Sequence, residues 1–280
     1  MVTSPSTSTW TKVHVTYGAI LDILEAHFNL LGVRWMPIKG GHLIAAGIAG
    51  EIENREMGDL DIMVDPENLI RVSDYFFATQ PFVGVLHCAS NHRATETILV
   101  YPFGAIRLCI EIHSFINIPE RFKLNPTELL DRAFSRGGYA FFADPVDALL
   151  IHLCHAHTHI YLEMRSTVCE EARILSRVLG FKWEEFWLRA EKTGIVPFLI
   201  MMLTLVNAAN GEVAFCGRKS WYAAVQAKVI LENGYAQLPI WYRRIFLECA
   251  FWRRPWSIFV FAFRNGIRGL RYFGKYHNDI

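Results

Sequence analysis

Asp59 and Asp61 stand two residues apart in the stretch GDLDIMV, with aliphatic residues at the alternating positions Leu60, Ile62 and Val64. Along an extended strand alternate residues share a face, so both carboxylates point one way and the aliphatic side chains the other. The run AIRLCIEIH repeats the pattern, with Arg107, Cys109, Glu111 and His113 on one face and Ile106, Leu108, Ile110 and Ile112 on the other. If the two strands are neighbours, three carboxylates converge. Unit charges ~4 Å apart repel by roughly 4 kcal/mol at an effective dielectric of about 20, and a bound cation removes that cost. Mg²⁺ takes hard oxygen ligands, using one or two carboxylates together with substrate phosphates. Two such ions ~3.5–4 Å apart clamp the attacking and leaving oxygens of an in-line phosphoryl displacement. Asp59, Asp61 and Glu111 are therefore the candidate catalytic and metal-binding residues, with Mg²⁺ as cofactor, two ions in number and replaceable by Mn²⁺. The plain structural alternative has Asp59 capping the strand after Gly58, Asp61 facing solvent and Glu111 pairing with Arg107.

Upstream, IKGGHLIAAGIAG reads as a strand, a glycine turn and a helix start. Two glycines let a backbone approach a ligand closely, and the N–H groups at a helix start bind phosphate. Lys39 adds a point charge for a triphosphate, so Lys39, Gly40 and Gly41 are candidate nucleotide-binding residues. An ordinary tight turn is the competing reading, since neither GxxxxGK[ST] nor GxGxxG is present. Further on, HLCHAHTH supplies His152, Cys154, His155, His157 and His159. With HExxH absent, a zinc site is the weaker reading. One or two of these histidines, His152 and His155 foremost, together with His113, are expected to contact nucleotide or acceptor.

The elements that must hold these residues follow from periodicity. A helix is expected over 17–31, closed by Gly32, and a short strand over RWMPI. A helix is expected over 42–49 and a strand over DLDIMV. Asp65 is then the expected N-cap, with Pro66 at the first position of a helix running to about Thr79. Strands are predicted over 82–88, 95–101 and AIRLCIEIHSF. Asn125-Pro126 and Asp144-Pro145 repeat the cap-then-proline signal. Helices then follow at 145–160, 163–179, 183–192 and 196–209. The expected fold is α+β: a small mixed-sheet domain over 16–125 and an all-α helical domain over 126–280, behind a disordered segment 1–15.

A strand, glycine turn, helix, DxD strand and later acid-bearing strand form the layout of the polymerase-β-type nucleotidyltransferase fold. Over roughly residues 30–195 the chain resembles a bacterial family of uncharacterised nucleotidyltransferases. The matching residues are Lys39-Gly40, Arg55, Gly58-Asp59-Leu60-Asp61, Glu111-Ile112-His113 and Pro145 to His155. The resemblance implies that Asp59 and Asp61 hold both metal ions and orient the triphosphate. It implies that Glu111 holds the catalytic ion and helps deprotonate an acceptor hydroxyl, and that Arg55 and Gly58 belong to the nucleotide site. This chain departs from better-studied relatives in having Gly40-Gly41 where they have Gly-Ser. It also has Cys169-Glu170-Glu171 where the family often has an aspartate.

Composition bounds the rest. The 280 residues are 52% hydrophobic and 14% aromatic, enough for a large core. A formal charge of +1 gives no global case for a nucleic-acid partner. The six cysteines are scattered without CxxC, and the N-terminus lacks signal-peptide features, which together point to a cytoplasmic protein. No run reaches the ~18 apolar residues of a spanning helix. The basic, aromatic segment FWRRPWSIFVFAFRNGIRGLRYFGKY allows peripheral membrane contact or, more plainly, a packed helix with snorkelling arginines. The expected activity is transfer of a nucleoside monophosphate from an NTP, ATP by default, to a hydroxyl of a small molecule, sugar or peptide. A catalytically degenerate binding protein and a γ-phosphoryl-transferring kinase are the alternatives.

Overall fold

The structure, a computed structural model, describes residues 7–48, 58–88, 94–103, 106–116, 124–136, 139–159 and 166–210, with 225, 228, 229 and 232. Arg55 and the basic, aromatic C-terminal segment lie outside the described residues.

The strands are β1 (Trp35–Pro37), β2 (Asp59–Val64), β3 (Val83–Cys88), β4 (Ala94–Phe103) and β5 (Ile106–His113), in the spatial order β1-β2-β5-β4-β3. β2 and β5 run parallel, and the other pairs are antiparallel. Two helices, α1 (Thr7–Leu31) and α3 (Leu69–Ala78), cover one face of this sheet. Leu60, Ile62, Val64, Leu99, Leu108, Ile110 and Ile112 meet Ile20, Leu24 and Phe28 of α1 and Val72 and Phe76 of α3 there. The two-residue alternation thus buries the aliphatic half of β2 and β5 and leaves their polar half on the opposite face.

That opposite face belongs partly to a second core. Met63, Met36, Ile38 and Leu43 join α5 (Pro145–His159), α6 (Ser166–Leu175), α7 (Trp183–Thr193) and α8 (Val196–Asn210) in one apolar cluster. The change from sheet to helices near residue 125 is therefore a change of architecture within a shared core. Besides its helices, the stretch from 126 carries α4 (Pro126–Arg132) followed by a two-strand hairpin, β6 (Phe134–Arg136) and β7 (Tyr139–Phe142). The hairpin escapes a periodicity reading because its strands are three and four residues long.

Local signals are used in different ways. Asn125 caps α4 by accepting from the Thr127 N–H at 3.1 Å, and Asp144 accepts from the Val146 N–H at 2.9 Å before α5. Gly32 closes α1 with a positive φ of 61°. Pro66 opens a 3-10 turn, Pro66–Asn68, that leads into α3. Asp65 makes no side-chain cap and instead pairs with Arg34 at 3.1 Å, because a nearby guanidinium competes for its carboxylate. The N-terminal helix begins at Thr7, so residues 7–15 are not the expected disordered segment. Extending a helix already anchored by its packed end costs far less than nucleating one.

A buried ion-pair network ties the helices together. Asp147 of α5, 0% exposed, accepts from Arg132 Nε of α4 at 2.6 Å and pairs with Arg189 Nη1 of α7 at 2.8 Å. Arg189 also reaches Asp144 at 2.7 Å and Glu185. No helix of the described residues is long and apolar enough to cross a membrane.

Candidate active site

Register decides the geometry. In the parallel β2–β5 pair Asp61 lies opposite Glu111, Asp59 opposite Cys109 and Met63 opposite His113. Asp59, Asp61, Glu111 and His113 therefore line one face of two adjacent strands. Asp61 is 4% exposed and His113 8%, while Asp59 and Glu111 are half-buried. An Asp61 facing solvent, the plain structural alternative, is excluded by that burial.

Lys39 is placed by the chain just before it. The Ile38 N–H donates to the Asp61 carbonyl at 3.0 Å, extending the β1–β2 pairing by one step. Lys39 then takes a left-handed backbone, φ 50°, and opens α2 (Lys39–Ala45). That conformation costs a residue with a Cβ roughly 1–2 kcal/mol. Here it accompanies an ion pair between Lys39 Nζ and Asp61 Oδ1, both side chains largely buried. Gly41 has a packing role: a Cβ there would lie 2.8 Å from Leu60 Cδ1 and 3.1 Å from the Asp61 carbonyl oxygen. The glycine lets α2 sit directly on β2. Gly40 is buried beside it. Among the described residues, a Cβ at Gly58 would meet nothing within 4 Å.

His113 bridges the acids. Its Nε2 donates to Asp61 Oδ1 at 2.8 Å and lies 3.5 Å from Glu111 Oε2, while Nδ1 faces Glu96 Oε2 of β4 at 3.7 Å. Burial opposes the charged ring, but its hydrogen bonds to Asp61 and Glu111 outweigh burial and raise the His113 pKa. Burial likewise opposes the Asp61 carboxylate. The His113 hydrogen bond and the charges of Lys39, His113 and His155 prevail and hold it well below the usual range. Glu111 is lowered chiefly by His113. Asp59 is pushed up to about 6 by burial and by the charges of Asp61 and Glu111.

Among the described residues, one group of three or more potential ligands converges: Asp61, Glu111 and His113, with ligand atoms all within 4.8 Å of one another. Asp59 stands outside this group, one step along the strand, within electrostatic reach of Asp61 and Glu111. The helix α5 divides the two histidines that the sequence offers for substrate contact. His155 acts electrostatically on Asp61. His152 turns to α6, with Nε2 3.0 Å from the Val168 carbonyl and Nδ1 3.2 Å from Glu171. Glu96 is the site residue that the sequence reading lacks; its strand was expected, but its position opposite His113 is set by the β4–β5 register.

Residues 10–210 match the model of a family described as uncharacterised nucleotidyltransferase. No curated protein matches the chain. The matched stretch covers most of the 280 residues, and the chain belongs to that family.

Proposed function

We propose that this family member transfers a nucleoside monophosphate from an NTP, ATP by default, to an acceptor hydroxyl, in a divalent-metal-dependent reaction. The observation that supports it best is the β2–β5 register, which stacks Asp61 against Glu111 with Asp59 one step away. The cluster holds three carboxylates against Lys39 and His113, and Asp59 is left with a raised pKa. That donor set suits a divalent cation: carboxylate oxygens of Asp61 and Glu111 converge from adjacent strands, with Asp59 beside them. Asp59, Asp61 and Glu111 would hold Mg²⁺ or Mn²⁺. The ion, when bound, neutralises charge on the triphosphate and activates the attacking oxygen.

In this reading the acceptor oxygen forms a bond to the α-phosphorus as the bridging α–β P–O bond breaks, and its electron pair leaves with pyrophosphate. Glu111, kept ionised by His113, accepts the hydroxyl proton. Lys39 carries its charge on a flexible stem and exchanges the Asp61 carboxylate for a phosphate oxygen. Gly40, Gly41 and Gly58 shape the nucleotide side of the site, with Arg55 assigned to the same side by its sequence position. His155 faces the acceptor side from α5. Catalysis rests on positioning and charge neutralisation.

The test is calorimetry of the four NTPs with and without Mg²⁺, on wild type and on the double variant Asp59→Asn/Asp61→Asn. Metal-dependent binding of one NTP, lost in the variant, is the expected result. Equal binding by both proteins would overturn the assignment. With the preferred NTP in hand, α-³²P label is expected to reach the product, whereas γ-³²P label there would establish a kinase.

A further inference from the structure

We infer that His113 is itself a metal ligand, so that the ion held by Asp61 and Glu111 sits in a mixed nitrogen–oxygen site that favours a first-row transition ion such as Mn²⁺ over Mg²⁺. The inference rests on the metal-dependent reading above and deepens it.

Three observations carry it. First, the donor atoms are already spaced for one ion. Adjacent ligands bound at about 2.1 Å and about 90° lie roughly 3.0 Å apart. His113 Nε2 is 2.8 Å from Asp61 Oδ1 and 3.5 Å from Glu111 Oε2. Second, the other ring nitrogen faces a carboxylate, with Nδ1 3.7 Å from Glu96 Oε2. Histidines that bind metals almost always present their second nitrogen to such a partner, which fixes the tautomer and orients the ring. A histidine serving solely as a counter-charge for Asp61 has no need of a carboxylate on its far side. Third, three strands define the arrangement: Asp61 from β2, Glu111 and His113 from β5, and Glu96 from β4, with Glu96 in register with His113. Rigid elements hold ligands more tightly than loops do.

The chemistry of the set decides the preference. Imidazole suits transition metals, whereas Mg²⁺ is bound by oxygen and keeps several waters. Asp59 lies outside the three-residue group and stays available, with the triphosphate, for a second and harder ion. Loading the mixed site requires that the His113 proton be released and that Lys39 leave Asp61 Oδ1, since both now occupy that oxygen.

The experiment uses Mn²⁺ as the probe, titrated into the full chain with and without inorganic pyrophosphate, which contains no nitrogen. Electron spin echo modulation of the bound Mn²⁺ reads directly coordinated ¹⁴N, and competition by Mg²⁺ reads selectivity. The expected result is an imidazole ¹⁴N coupling in wild type and a preference for Mn²⁺ of at least ~10-fold. The coupling should vanish in His113→Gln, and Mn²⁺ should bind about 10-fold more weakly to Glu96→Gln. Bound Mn²⁺ without nitrogen coupling, coupling that survives in His113→Gln, or no Mn²⁺ binding in either condition would overturn the inference. The wild-type spectrum is decisive even if a variant misfolds. Metal-dependent NTP binding without nitrogen coupling would leave the proposed transferase standing and remove His113 from the metal. Nitrogen-coupled Mn²⁺ without NTP binding would do the reverse.

Discussion

Two clusters of buried charge hold opposite relations to the fold. Around Asp147 the acids meet two guanidinium groups, each fixed by short bonds, and the network joins α4, α5 and α7. Around Asp61, among the described residues, three carboxylates on neighbouring strands face Lys39 and His113, which both contact the same oxygen, with His155 acting electrostatically. The first is a completed set of partners. The second sets like charges side by side, and Asp59 is pushed up to about 6 by burial and by the charges of Asp61 and Glu111. The second is where the proposed cation and substrate would meet, on acids stacked across adjacent strands.

The sharpest way to break this contrast is to remove acids from each cluster and measure both activity and stability. Asp61→Asn or Glu111→Gln is expected to cost about 10³-fold in nucleotidyl transfer, the scale of losing charge stabilisation in a water-poor site. The same variants should retain cooperative unfolding. Asp147→Ala is expected to lose about 3 kcal/mol in denaturant unfolding, because it removes the fully buried carboxylate that Arg132 and Arg189 share. If Asp147→Ala instead left stability unchanged, the distinction between the clusters would fail.

Gly41→Ala probes the seam between α2 and β2. Its Cβ would press on Leu60 and on the Asp61 carbonyl, for an expected loss of about 1–2 kcal/mol. NTP affinity should fall as well, since Lys39 leaves from the same turn. A full-strength variant would show that α2 can move off β2 without disturbing the site.

The smallest effect is also the most diagnostic in sign. A carboxyl raised from 3.8 to about 6 in the folded protein contributes stability below its unfolded pKa and loses it as pH rises through its folded pKa. In metal-free wild type this group should therefore lower stability between pH ~4 and ~6. Asp59→Asn removes that slope and should be the more stable protein at pH 7–8 while binding metal more weakly. Added Mg²⁺ or Mn²⁺ should flatten the wild-type slope. A metal-free Asp59→Asn protein with the wild-type slope would contradict the assignment.

Much of this contrast was legible in the chain because it depends on local period. DLDIMV and AIRLCIEIH each sort charged from aliphatic residues with a period of two, and the strands carry those faces as expected. Helices α4 and α5 follow their cap-then-proline signals at Asn125 and Asp144, whereas Lys182, at the start of α7, makes no side-chain cap. What the sequence does not disclose is register, a tertiary property. That Asp61 faces Glu111 across a parallel pair, and that Glu96 backs His113, depends on which strands become neighbours. The role of Gly41 was hidden for a similar reason. A glycine needed to seat a helix on a strand looks, in one dimension, like a glycine that admits a ligand. His152 and His155 lie three apart on one helix, yet one is taken by α6 and the other reaches Asp61 electrostatically. Spacing alone does not separate them.

The most direct test of the central claim is equilibrium unfolding of wild type, Asp61→Asn and Asp147→Asn, each with and without Mg²⁺ and the preferred NTP. Ligand that binds the native state alone raises stability by RT ln(1 + [L]/Kd). The expected result is that both variants start lower than wild type, since each removes a buried ion-pair partner, but Asp147→Asn gains as much as wild type from Mg·NTP and Asp61→Asn gains nothing. Equal gains in all three proteins would show that the acid cluster on β2 and β5 is not where the nucleotide binds.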